Sequence, residues 1–82
     1  MSIRDTNPDT LPRINAEVIR SREKYPGNAR MIEAVRGEVN ELADALATGD
    51  YDAWYSEAAQ VAAVAARIME EGDRDLAVPP ER

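Results

Sequence analysis

Eighty-two residues, 44% of them hydrophobic but with no Phe, one Trp and three Tyr, allow one domain with a core of aliphatic side chains and Ala; a chain this short buries only about 60–65% of its unfolded surface, so help from a partner copy is expected. The absence of Cys and His excludes disulfides, thiolate metal sites and imidazole bases, and any metal must be held by oxygen, which favours Mg²⁺, Mn²⁺ or Ca²⁺. A formal net charge of -6 argues against a nucleic-acid polymer as partner, because such binding depends on an excess of Lys and Arg.

Residues 1–9 are polar, lack the apolar stretch of a signal peptide and read as a flexible tail. A first helix starts near Thr10, tolerates Pro12 in its first turn, and places Leu11, Ile14, Val18 and Tyr25 on one face. Arg13, Arg20 and Lys24 recur along it at steps of seven and four, as solvated charges or as groups reaching phosphate oxygens across an oligomer. Pro26-Gly27-Asn28 ends this helix, and Asn28 is expected to cap a second, along which Ile32, Val35, Val39, Leu42 and Leu46 recur at steps of three and four up to Gly49.

Asp50 suits the cap of a third helix, with Trp54, Val61, Val64, Ala65 and Ile68 on one stripe and a stop at Gly72. Trp54 on that stripe reads as core rather than as a stacking platform for a base. The short Thr48-Gly49-Asp50 connection forces an antiparallel hairpin. Residues 73–82 carry a Pro pair and read as a second flexible tail, which leaves 10–72 as the domain. From Ala58 to Ala66 the third helix is apolar except for Gln60, so it must be buried on several sides. The expected fold is therefore all-α, an antiparallel hairpin plus an N-terminal helix, assembling as a homodimer or homotetramer with the third helix at the interface. No apolar run reaches membrane-spanning length, so no membrane partner is expected and the cytoplasm is the default compartment.

The chemistry lies in the acidic residues. Glu38 and Glu41 on the second helix, and Glu57 and Gln60 on the third, are each spaced i and i+3 and share a face. At 1.5 Å per residue the first pair lies roughly 16 Å before the hairpin turn and the second roughly 13 Å beyond it, so folding brings them level. An ExxE pair on an acidic helix reads as readily as a solvated face. Glu57, however, falls among Trp54, Val61, Val64 and Ile68, where a lone carboxylate must raise its pKa or take a cation. Glu38 is expected at the edge of its own apolar stripe, with Glu41 beyond it beside Ala34 and Ala45. An oxygen-lined divalent-cation site between the two helices is consistent with this spacing.

The segment from Tyr25 to Asp73 resembles the MazG-like family of all-α nucleotide pyrophosphohydrolases, whose members carry ExxE on one helix and ExxD on the next. Glu38 and Glu41 stand for the ExxE and Glu57 for the first residue of ExxD; the run from Gln60 to Ile68 and the closing Glu70-Glu71-Gly72-Asp73 also resemble small members. Gly37 replaces a frequent extra Glu, Asn40 a usual Gly, and Gln60 the second acid of ExxD. The resemblance implies Mg²⁺, or Mn²⁺, held by Glu38, Glu41, Glu57 and Gln60, and hydrolysis of a nucleoside triphosphate to monophosphate and pyrophosphate. Gln60 brings a carbonyl oxygen but no charge, so weaker metal binding and lower activity are expected. That substitution equally suits a non-catalytic relative serving as a nucleotide-binding or regulatory module. A third reading is an oligomeric scaffold in which Glu57 pairs with an Arg, such as Arg67, of a neighbouring copy.

Overall fold

The computed structural model describes residues 7–76. Three helices follow one another, α1 (Thr10–Lys24), α2 (Met31–Thr48) and α3 (Tyr51–Glu71), and the described residues contain no strand pairing that forms a sheet. None is long and apolar enough to cross a membrane. Helices α1 and α2 both lie against α3 and do not pack on each other. Arg13 reaches Ser56 near the start of α3, and Arg22 reaches Glu70 and Glu71 at its end, so α1 runs parallel to α3 while α2 runs back between the two ends.

The hairpin turn is closed by local chemistry. Gly49 takes a left-handed conformation (φ 75°) and donates its N–H to the Leu46 carbonyl, a geometry that a side chain would oppose. Asp50 then accepts hydrogen bonds from the Asp52 and Ala53 amides, satisfying two of the free N–H groups that begin α3.

The start of α2 departs from expectation. Asn28 does not cap it; its side-chain amide donates instead to the Glu71 carbonyl at the end of α3. The capping position falls to Arg30, held in the left-handed region (φ 56°), where a non-glycine residue is strained. The missing acceptors come from the far end of the chain. Asp73 accepts from the Ile32 amide at 2.9 Å and Asp75 from the Arg30 amide at 3.1 Å, and the Arg74 amide donates to the Asn28 carbonyl. Residues 73–76, expected in the C-terminal tail, therefore belong to the folded unit, with Asp73 buried. The remainder of both expected tails, 1–6 and 77–82, lies outside the described residues.

The apolar stripes are turned from their expected directions. Along α2 the buried residues are Met31 and Ala45, with Val35, Glu38 and Leu42 half-buried between them, whereas Val39 and Leu46 are exposed. Along α3 the core consists of Ala59, Ala63 and Val64, and Ala65 faces out; along α1 only Val18 is buried among the expected positions, with Leu11 and Tyr25 exposed. Small side chains at the centre of α3 let both flanking helices approach closely.

Besides Asp73, two charged residues take places in the interior. Arg67 is 2% exposed and makes five hydrogen bonds: to the Ser21 carbonyl and hydroxyl, the Tyr25 and Gly27 carbonyls, and Glu71. Glu17, on the inner side of α1, is held by Arg13 and Arg20 at 3.3 and 3.4 Å. A buried charge is tolerated only with such partners.

Candidate metal centre

Because α2 is turned toward the line through Met31, Glu38 and Ala45, Glu38 lies on the inner stripe of the helix rather than at its edge. Glu41 follows one turn later, at the exposed margin. Glu57 comes from the facing side of α3. One carboxylate oxygen from each of these three residues lies within 4.8 Å of the others.

Two oxygens define the electrostatics of the site. Glu38 Oε2 and Glu57 Oε2 are buried and have no hydrogen-bond partner among the described residues. Burial, then the negative charge of Glu41 beside it and of Glu57 beyond, raises the Glu38 carboxyl above the usual carboxylate range, with Lys24 pulling weakly the other way. Burial and Glu41 raise Glu57 in the same sense. Three carboxylates crowded together with two buried lone oxygens form a hard-oxygen donor set of concentrated negative charge, which suits a divalent cation.

Gln60 lines a cleft of about 230 Å³ together with Glu38. The floor of this cleft is α3, at Gln60, Ala63 and Val64, and its opposite wall is α1, at Glu17, Arg20 and Lys24. Arg20 and Lys24 thus share this cleft with Glu38 within one chain. Arg13 is engaged elsewhere, with Glu17, Ser56 and the Tyr55 ring. Trp54 is half-buried and packs edge-on against Tyr51, with ring centroids 5.6 Å apart.

Arg67 is committed to α1 and the α1–α2 connection, so the pairing of Glu57 with Arg67 from a neighbouring copy is replaced by bonds within the chain. The inward place of Glu17 had no signal in the pattern of apolar residues. The i, i+3 and i, i+4 spacing of Arg13, Glu17 and Arg20 was the available clue, since a carboxylate flanked this way carries its own counter-charges when buried.

Comparison with protein-family models, with curated proteins and with solved structures finds no match to this chain, so the functional reading stands on the geometry of Glu38, Glu41 and Glu57 and on the sequence resemblance.

Proposed function

We propose that this protein is a Mg²⁺-dependent nucleoside triphosphate pyrophosphohydrolase, with Mn²⁺ as an alternative cofactor, acting in the cytoplasm as a homodimer or homotetramer. The observation that carries the reading is the pair of buried, unpartnered oxygens on Glu38 and Glu57, with Glu41 close to both. Uncompensated buried carboxylates cost stability, and a hard divalent cation is the ligand that best offsets the cost. The MazG-like pattern across Tyr25 to Asp73 supports the same chemistry.

When bound, such an ion supplies charge neutralisation on the phosphates and a lowered pKa for water. Glu38, Glu41 and Glu57 would hold it, with the Gln60 side-chain carbonyl as a neutral fourth donor. Arg20 and Lys24, on the opposite wall of the cleft, would draw the triphosphate toward these carboxylates. In the reaction the water oxygen bonds to the α-phosphorus, the bridging oxygen leaves with the β-phosphate, and the water proton passes to a carboxylate. With no His in the chain, Glu41 is the candidate base, being the most exposed of the three.

A second reading is favoured by Gln60, which withholds one charge from the donor set: a module that binds nucleotide without hydrolysing it. Pyrophosphate release from a panel of nucleoside triphosphates with Mg²⁺ or Mn²⁺ separates the two. Turnover that falls at least about a hundredfold in Glu41→Ala and rises in Gln60→Asp supports the enzyme. No turnover, but a metal-dependent rise in Tm with nucleotide, supports the binding module. Indifference to metal and nucleotide alike would end both.

A further inference from the structure

Glu38 stands where two cavities meet. The cleft walled by Arg20 and Lys24 shares Ser21, Tyr25, Glu38 and Val64 with a second chamber of about 390 Å³, which extends beneath the α1–α2 connection along Pro26, Met31 and Ala34. The two differ in what they can hold.

The first carries cations suited to phosphate, and Lys24 forms no ion pair among the described residues. The second has Arg67 in its wall, but five hydrogen bonds use the five N–H donors of that guanidinium, leaving none for an anion. Its other arginine, Arg30, lies at the rim 3.8 Å from Glu33. The rest of the lining is dominated by Tyr25, Pro26, Met31, Ala34 and Val64: two rings, a thioether buried to 4% exposure, and two small side chains.

We propose that this second chamber seats the uncharged, ring-bearing end of the ligand, the nucleoside, while the phosphates lie in the first cleft between Lys24 and the carboxylates. The inference rests on the metal-and-phosphate reading of Glu38, Glu41 and Glu57, and adds which cavity selects the organic part. A volume near 390 Å³ falls within the range of roughly 300–1,000 Å³ typical of small-molecule pockets. The thioether of Met31 adapts to a flat ring, and Tyr25 and Pro26 offer faces to it. The bonds of Arg67 to the Tyr25 and Gly27 carbonyls fix the rim before any ligand arrives, which lowers the ordering cost of binding.

The test is calorimetric titration of the whole chain with Mn²⁺ alone, then in Mn²⁺ with inorganic tripolyphosphate and with α,β-methylene analogues of the four ribonucleoside triphosphates, which the proposed reaction cannot cleave. Ala29→Phe and Ala34→Phe fill the chamber from two exposed positions that line it, so folding is preserved and is checked by Tm. At least one analogue is expected to bind about tenfold more tightly than tripolyphosphate, and both variants to erase that advantage while Mn²⁺ and tripolyphosphate affinities stay within about twofold. If Mn²⁺ and tripolyphosphate bind but the analogues gain nothing, or keep their gain in both variants, the chamber assignment is overturned and the metal reading survives. If neither Mn²⁺ nor tripolyphosphate binds, the metal reading fails and takes this inference with it.

Discussion

A carboxyl group whose pKa lies above its ordinary value weakens the fold wherever it is ionised. Glu38 and Glu57 are both such groups. Below the unperturbed carboxylate value of roughly 4.3 both folded and unfolded chains hold the proton, and nothing is lost. As pH rises past it the unfolded chain ionises first, and stability falls until the raised folded-state values are passed. The cation-free protein should therefore melt at a lower temperature at pH 7 than at pH 5, and millimolar Mg²⁺ or Mn²⁺ should raise Tm at pH 7 more than at pH 5, where protons compete. Glu57→Gln, nearly the same shape without the charge, should raise the cation-free Tm by a few degrees at pH 7 and reduce the cation effect. A Glu57→Gln chain that melts lower without metal, or a natural chain whose Tm ignores divalent cations, would contradict this account of the site. Both are read by scanning fluorimetry, using Trp54.

At the scale of elements, the ends of the helices are tied together by residues distant in sequence. Arg67 links α3 to the last turn of α1 and to the connection beyond it, and Asp73 and Asp75 close the first turn of α2. Removing Arg67 takes its donors from the part-buried Tyr25 and Gly27 carbonyls and leaves Glu71 without its neighbour on α3. With breaking of a buried pair costing about 3–5 kcal/mol, and a domain of this size holding on the order of 5–10 kcal/mol, Arg67→Ala should lose roughly half of its stability and melt well below the natural chain by circular dichroism. Asp73 behaves oppositely to the glutamate pair: the Ile32 amide, then the Asp75 amide, hold its carboxyl below the usual range, so its stabilisation is present above roughly pH 4 and lost as pH falls through the lowered value. Asp73→Ala should lower Tm by several degrees at pH 7 and by less at pH 3; an equal effect at both would show that the carboxylate contributes nothing as a cap. These ties mark where the sequence stopped being legible. Helix bounds, the Gly49-Asp50 turn and the level of the carboxylates follow from rules acting over a few residues. Asn28 and Asp73 each have chemistry suited to a helix end, but which end depends on tertiary proximity. A two-letter pattern of apolar and polar residues likewise turned α2 from its observed direction, because it centres the stripe on Val39 and Leu46 and leaves Glu38 at its edge whatever ligand or neighbour faces it.

For the whole molecule, the central position of α3 does not cover it completely. Helix α1 takes the side bearing Ser56 and Arg67, and α2 the side bearing Glu57. Tyr51, Ala58, Ala65 and Met69 are left exposed, on a line turned about 100° from Glu57 at 3.6 residues per turn. Met69 is 84% exposed and Tyr51 55%, with small alanines between them, so a second α3 can approach closely along this line and remove large apolar groups from water. The orientation also keeps such an interface away from the three carboxylates. Sedimentation at micromolar concentration should therefore give the mass of two or four chains rather than 9.1 kDa. Ala65→Glu places a charge in the middle of the contact, and should return the chain to the single-copy mass while far-ultraviolet circular dichroism remains helical. A natural chain already sedimenting at 9.1 kDa would mean that the alanine-rich face of α3 meets water, and the marginal core of an 82-residue chain would have to suffice alone.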